Sequence, residues 1–203
     1  MPEPQDMHPK SERAAGLLLL FISFAVVSGM ANHPSSFAEY TAHSRALHGI
    51  LIVIAVLALA AFARFAVKRG LARLPVLLGL AFLTFGTIAN ALAGTMNGFI
   101  VPELMADGGV DKPILALCWA FNQVMAQAAV YASGIAFLIW GADMAASGEG
   151  ADRAVGAAGA LAGLLPAVLL AAGLIDMNVG GAFIAYSVQA AFALAAAWTL
   201  LRR

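Results

Sequence analysis

Three histidines fall within sixteen positions of one another, at His33, His43 and His48. Imidazole nitrogen ligates divalent metals and haem iron, so these three are the candidate metal ligands. Glu39 and His43 are four apart and share a face if the segment is helical. His43 and His48 are five apart, about 140° around a helix of ~3.6 residues per turn, and do not converge on one ion by themselves. His33, on the segment ahead, is placed to complete a site with either. A divalent metal fits such a set. Haem held by two axial histidines needs imidazoles facing each other across helices, and no later segment carries a histidine. The competing interpretation is a group of wetted interfacial side chains beside Tyr40 and Arg45. Glu103, Asp107, Asp111 and Asp176 lie in the same class of connecting segments and are available to assist a cation.

A second constellation is polar and uncharged, and it sits inside long apolar runs, where lipid penalises such groups. Thr87, Asn90, Gly94 and Asn97 recur at helical spacing. Asn122, Gln123 and Gln127 cluster with Tyr131 one turn on, and Tyr186 and Gln189 are three apart beside Ser187. Asn90, Asn97, Asn122, Gln123, Gln127, Tyr186 and Gln189 are therefore the candidate ligand-binding residues. The alternative is that small residues let helices approach and these amides tie them together without any ligand. No apolar run contains a central Asp, Glu, Lys or Arg, which removes the groups that proton pumps and voltage sensors use. No HExxH, P-loop, GxSxG or CxxC pattern occurs. The single cysteine, Cys118, allows neither an intrachain disulfide nor a thiolate cluster.

The elements that must carry these residues follow from composition. Hydrophobic residues make up 62% of 203 positions and charged residues 11%, against ~45–50% and ~25% in an average soluble domain. A soluble core cannot hide that much apolar surface in so short a chain. Six runs approach the ~20 residues a bilayer core requires: Ala14 to Met30, Ala46 to Ala63, Leu74 to Val101, Pro113 to Gly141, Ala154 to Ile175 and Val179 to Leu201. Backbone amides in lipid must be paired within the segment, so each run is a helix. The fold expected is all-α: a polytopic bundle of six transmembrane helices over 14–203, preceded by a disordered cytoplasmic tail over 1–13 that holds Pro2, Pro4, Pro9 and His8. Ser36 with Glu39 fits a capping box and starts the second helix near Phe37. Pro166 falls at mid-depth in the fifth run and bends it. Trp119, Trp140 and Trp198 fall near run ends, as interfacial anchors do.

Orientation follows from the basic residues. With the N-terminus inside, the inner segments hold Lys10, Arg13, Arg64, Lys68, Arg69, Arg73, Arg153, Arg202 and Arg203, and the outer loops hold Arg45 and Lys112, nine against two of the eleven. Both termini are then cytoplasmic, and the polar residues fall in the outer half of the bilayer while the inner half is apolar. The alternative start is a secretory leader cleaved near Gly29-Met30-Ala31, leaving five spans.

These observations support a multi-pass protein of the cell membrane. Its Ala- and Gly-rich composition is similar to that of many small bacterial inner-membrane proteins, with no diagnostic motif to narrow it to a family. The function expected is a non-enzymatic small-molecule binder, sensor or complex subunit with a polar recess in the outer half. The alternatives are a haem- or metal-binding redox protein using the histidines, and a transporter of a neutral solute. The expected partners are the lipid bilayer and a second copy or another membrane subunit, the latter through the small face of Gly86, Asn90, Gly94 and Gly98. A net charge of zero gives no electrostatic case for nucleic acid.

Overall fold

The computed structural model describes residues 7–33, 42–106 and 111–202. The elements are α1 (Met7–Ala31), α2 (Ala42–Arg69), α3 (Leu74–Thr95), a π-turn (Met96–Ile100), α4 (Val101–Ala106), α5 (Lys112–Ser147), α6 (Ala151–Ala171) and α7 (Val179–Leu201). There is no strand among the described residues. α3, the π-turn and α4 form one continuous rod, so the described residues hold six helices long and apolar enough to cross a membrane. This is a multi-pass helical bundle. Residues 7–13, read from the sequence as tail, form the opening turns of α1. The capping box at Ser36 lies outside the described residues.

The breaks between helices have local causes. α6 ends in a Schellman turn: the Leu174 amide donates to Leu169 oxygen at 2.9 Å and the Gly173 amide to Leu170 oxygen at 3.0 Å. Gly173 takes φ +67, a backbone conformation that costs glycine nothing. α7 then begins at Asn178, whose side-chain oxygen accepts from the Gly181 amide at 2.9 Å, an N-cap that satisfies one free donor. The π-turn has its cause in Pro102, two residues beyond its end. In a regular helix the Pro102 ring would strike the carbonyl four residues back, at Gly98. The widened turn, closed by the Val101 amide on Met96 oxygen, relieves that clash without ending the rod.

Each span packs on its neighbours in sequence, α1 on α2, α2 on α3, α3 on α5, α5 on α6 and α6 on α7. α7 packs back on α1, so the six spans close into a ring. α1 is a full member of that ring: Gly16 lies against Leu201 of α7, and Gly29 against Leu51 of α2. α5 and α6 approach most intimately through glycines, Gly134 against Gly163 and Gly141 against Gly156. Small residues at such crossings replace the hydrophobic drive that lipid does not supply with close van der Waals contact.

The two ends of the ring differ. At the cationic end, Asp143 is gripped by Arg69 (2.9 Å) and Arg73, Glu12 by Lys68 (2.9 Å) and Arg64 (3.4 Å), and Asp152 by Arg202. These pairs place both ends of the described chain and the α2–α3 and α5–α6 links together. Just inside them lies a layer of Phe62, Phe65, Phe137, Trp140 and Phe192, all buried and in mutual ring contact. Trp140 corrects the interfacial expectation: it is 1% exposed, and its indole N–H donates to Val76 oxygen at 3.1 Å over Gly79, where a Cβ would overlap the ring. Trp198 is exposed, as expected. The opposite, histidine end carries His33, the start of α2, the π-turn and the link over residues 172–178.

Candidate functional site

In the half of the ring toward the histidine end the helices do not meet on the axis. They enclose a cavity of about 290 Å³, at the lower edge of the ~300–1,000 Å³ range of small-ligand sites. Its floor is the aromatic layer at Phe62 and Phe137, and Trp119, Met177 and Val179 rim its other end beside the two histidines. The wall combines apolar side chains with uncharged polar ones contributed by five of the six spans.

The two constellations separated in the sequence share this cavity. Asn90, Asn97, Asn122, Tyr186 and Gln189 line it, and so do His33 and His48. Tyr186 hydroxyl donates to Asn90 Oδ1 at 2.9 Å, joining α7 to α3. Gln189 Nε2 donates to Val130 oxygen at 3.0 Å and its Oε1 accepts from Ser133 at 3.1 Å, joining α7 to α5. Gln189 is therefore satisfied by protein. Asn97 is 6% exposed, and its Oδ1 is buried with no hydrogen-bond partner. No described residue donates to it, so the cost of burying it is not met by protein. Two candidates fall elsewhere: Gln123 is spent on Met177 oxygen at 3.0 Å, and Gln127 does not line the cavity.

The histidines are re-sorted as well. His43 is exposed and does not line the cavity. His33 and His48, fifteen positions apart, meet with their Nε2 atoms at 3.1 Å and their ring planes at 78°. His48 is oriented by its own helix: Nδ1 lies 2.8 Å from Ser44 oxygen. A carbonyl only accepts, so this bond puts the proton on Nδ1 and leaves the Nε2 lone pair facing His33. Gly98, in the π-turn, lets α2 come close, since a Cβ there would overlap the Cβ of His48. Two axial imidazoles of one haem stand with nitrogens ~4 Å apart at ~2 Å bonds, with the macrocycle between them. A pair in direct contact at 3.1 Å does not have that arrangement.

Reading the sequence missed Ser23, Ser133 and Trp119, which also line the cavity. Ser23 and Ser133 carried a signal, a hydroxyl inside an apolar run. Trp119 carried none, because a span-end tryptophan reads as an anchor; it is 40% exposed and faces the cavity rim. Comparison with family models, with curated proteins and with solved structures finds no match to this chain.

Proposed function

We propose that this chain is a non-enzymatic receptor of the cell membrane that binds a small, neutral, amphipathic molecule in the cavity at the histidine end of the ring. The observation that carries this reading is a cavity of about 290 Å³ whose wall sets uncharged polar side chains, Asn90, Asn97, Asn122 and Tyr186 among them, in an apolar lining. Among the described residues the wall offers amides, hydroxyls and imidazoles but no carboxylate, lysine or arginine, which suits a ligand without formal charge. A ring or short chain with one or two polar groups matches an apolar wall set with amides, hydroxyls and imidazoles. The buried aromatic layer beyond the floor favours binding over passage, because a neutral solute would have to displace five packed rings to leave at the cationic end.

Benzamide, a neutral ring with one donor amide and one acceptor, is a suitable probe. It is expected to raise the melting temperature of the full chain in mild detergent and to appear as a single adduct in native mass spectrometry. Ala126 is buried in the wall, and Ala126→Phe fills the space. That variant is expected to weaken the probe at least tenfold, about 1.4 kcal/mol. Equal response in the two proteins, or no response in either, sinks the reading.

Among the described residues the cationic end carries eight of the ten basic residues, and it faces the cytoplasm in this proposal, with the bacterial inner membrane as the setting. The cavity then opens outward. In a Cys118→Ala background, an impermeant maleimide on intact cells is expected to label Asp111→Cys, at the histidine end, and to spare Ser147→Cys, at the other. The reverse pattern inverts the topology.

A further inference from the structure

We infer that His33 and His48 are a two-imidazole site for a divalent transition metal of the zinc type, built into the wall of the cavity. The site shares the wall of the cavity described above but does not rest on the receptor reading.

Three observations on different elements support it. The first is separation. Two nitrogens 3.1 Å apart, each at ~2.0–2.1 Å from one ion, subtend roughly 100° at the metal, between the octahedral and tetrahedral values. The second is orientation. Metal-bound histidines characteristically donate their other ring N–H to a carbonyl or carboxylate, which settles the tautomer and aims the free nitrogen. His48 does this with Ser44 oxygen at 2.8 Å, so its Nε2 is presented as a lone pair. On binding, the proton that bridges the pair leaves His33 Nε2 and the ring ligates as its neutral Nδ1–H tautomer, by proton exchange through solvent, with the metal in the vacated place; no bond to carbon changes and no electron is transferred. The third is the surroundings. The Asn97 oxygen is buried and unpartnered, and it lies in the π-turn, next to the glycine that packs on His48. π-turns recur at functional sites because the extra residue re-aims the side chains around it.

Among the described residues no third histidine, cysteine or carboxylate joins the pair. The remaining positions fall to water or a cavity ligand, which is the open pattern of reactive sites and unlike the closed four-ligand pattern of purely structural ones. Imidazole with neutral oxygen suits zinc and copper and is poor for magnesium or calcium, which prefer carboxylates.

The test uses the full chain in mild detergent, stripped with a chelator and titrated with Zn²⁺ alone against a competing chromophoric chelator. One Zn²⁺ per chain is expected, and His33→Ala and His48→Ala should each weaken it at least tenfold. His43→Ala, an exposed histidine outside the cavity, should leave it unchanged. His48→Gln, which keeps bulk and a side-chain hydrogen bond, guards against a variant that merely unfolds: it should melt like the parent and still lose Zn²⁺. Co²⁺ in place of Zn²⁺ should give visible d–d bands that disappear in the same variants. Absence of stoichiometric Zn²⁺, loss in only one of the two alanine variants, or a loss produced by His43→Ala overturns the site. Benzamide binding is read separately through Ala126→Phe, so a failure of the metal site and a failure of the receptor reading are told apart.

Discussion

Gly141→Leu is expected to yield no monodisperse protein from the membrane. A Cβ at this position would overlap the backbone nitrogen of Ala160 and stand 2.6 Å from Gly156 oxygen. Neither obstacle is the tip of a flexible side chain, so relief requires α5 and α6 to separate along their length. The contact is repeated two turns away, where a Cβ on Gly134 would meet Gly163 oxygen at 2.7 Å. Separation at one point therefore breaks the register at the other, and the ring has no second seam that brings α6 to α5. Gly49→Ala is the control: a Cβ there meets only Phe99 at 3.6 Å, an ordinary contact, and alanine gains up to ~1 kcal/mol over glycine within a helix. Size-exclusion profiles of the two variants check this, and a monodisperse Gly141→Leu protein would mean that the α5–α6 seam is not as close as described.

Trp140→Ala is expected to lower stability by about 3–5 kcal/mol, the range for deleting a buried large aromatic. Its ring touches Phe62, Phe65 and Phe192, with centroids 5.8, 5.4 and 6.3 Å away, and its N–H bond to Val76 links α5 to α3. At ~2–4 °C per kcal/mol for a chain of this size the melting temperature falls by about 6–20 °C. Trp140→Phe keeps a ring and loses the donor, and should fall between the parent and the alanine variant. A shift under about 2 °C for Trp140→Ala would show that the aromatic layer is not the packed floor on which the receptor reading depends.

The fold was legible to a large degree because its causes are local. Each of the six spans overlaps an apolar run visible in the chain, and Gly70, Gly148, Gly150 and Gly173 fall in the links between them. What local rules judged poorly were the ends. Charged residues stopped the expected spans early, whereas Glu12, Asp143 and Asp152 are drawn into helices by arginines from other elements. The π-turn was invisible because Met96–Ile100 differs in no residue type from an ordinary helical turn; only Pro102, two residues on, hinted at it.

The candidate site was half legible. Asn90, Asn97, Asn122, Tyr186 and Gln189 stand out because an amide or phenol in an apolar run is costly in lipid and must have a purpose. The same rule cannot separate Gln123, which is spent on a link carbonyl, from Asn97, which is not. Nor could spacing choose among the histidines, since His33 lies beyond a helix break from the other two.

By itself the sequence determined that this chain is a bundle of six membrane-crossing helices with its polar side chains gathered toward one half. That outcome depends on how many consecutive residues lipid tolerates, which is a property of each run alone. Only the tertiary structure decided that His33 and His48, rather than His43, join five of the amide and hydroxyl side chains around one cavity. Which face of a helix looks inward depends on its rotation and axial offset against its neighbours. Those are set by contacts far apart in the chain, such as Gly98 on His48 and Gly141 on Gly156, that no single run encodes.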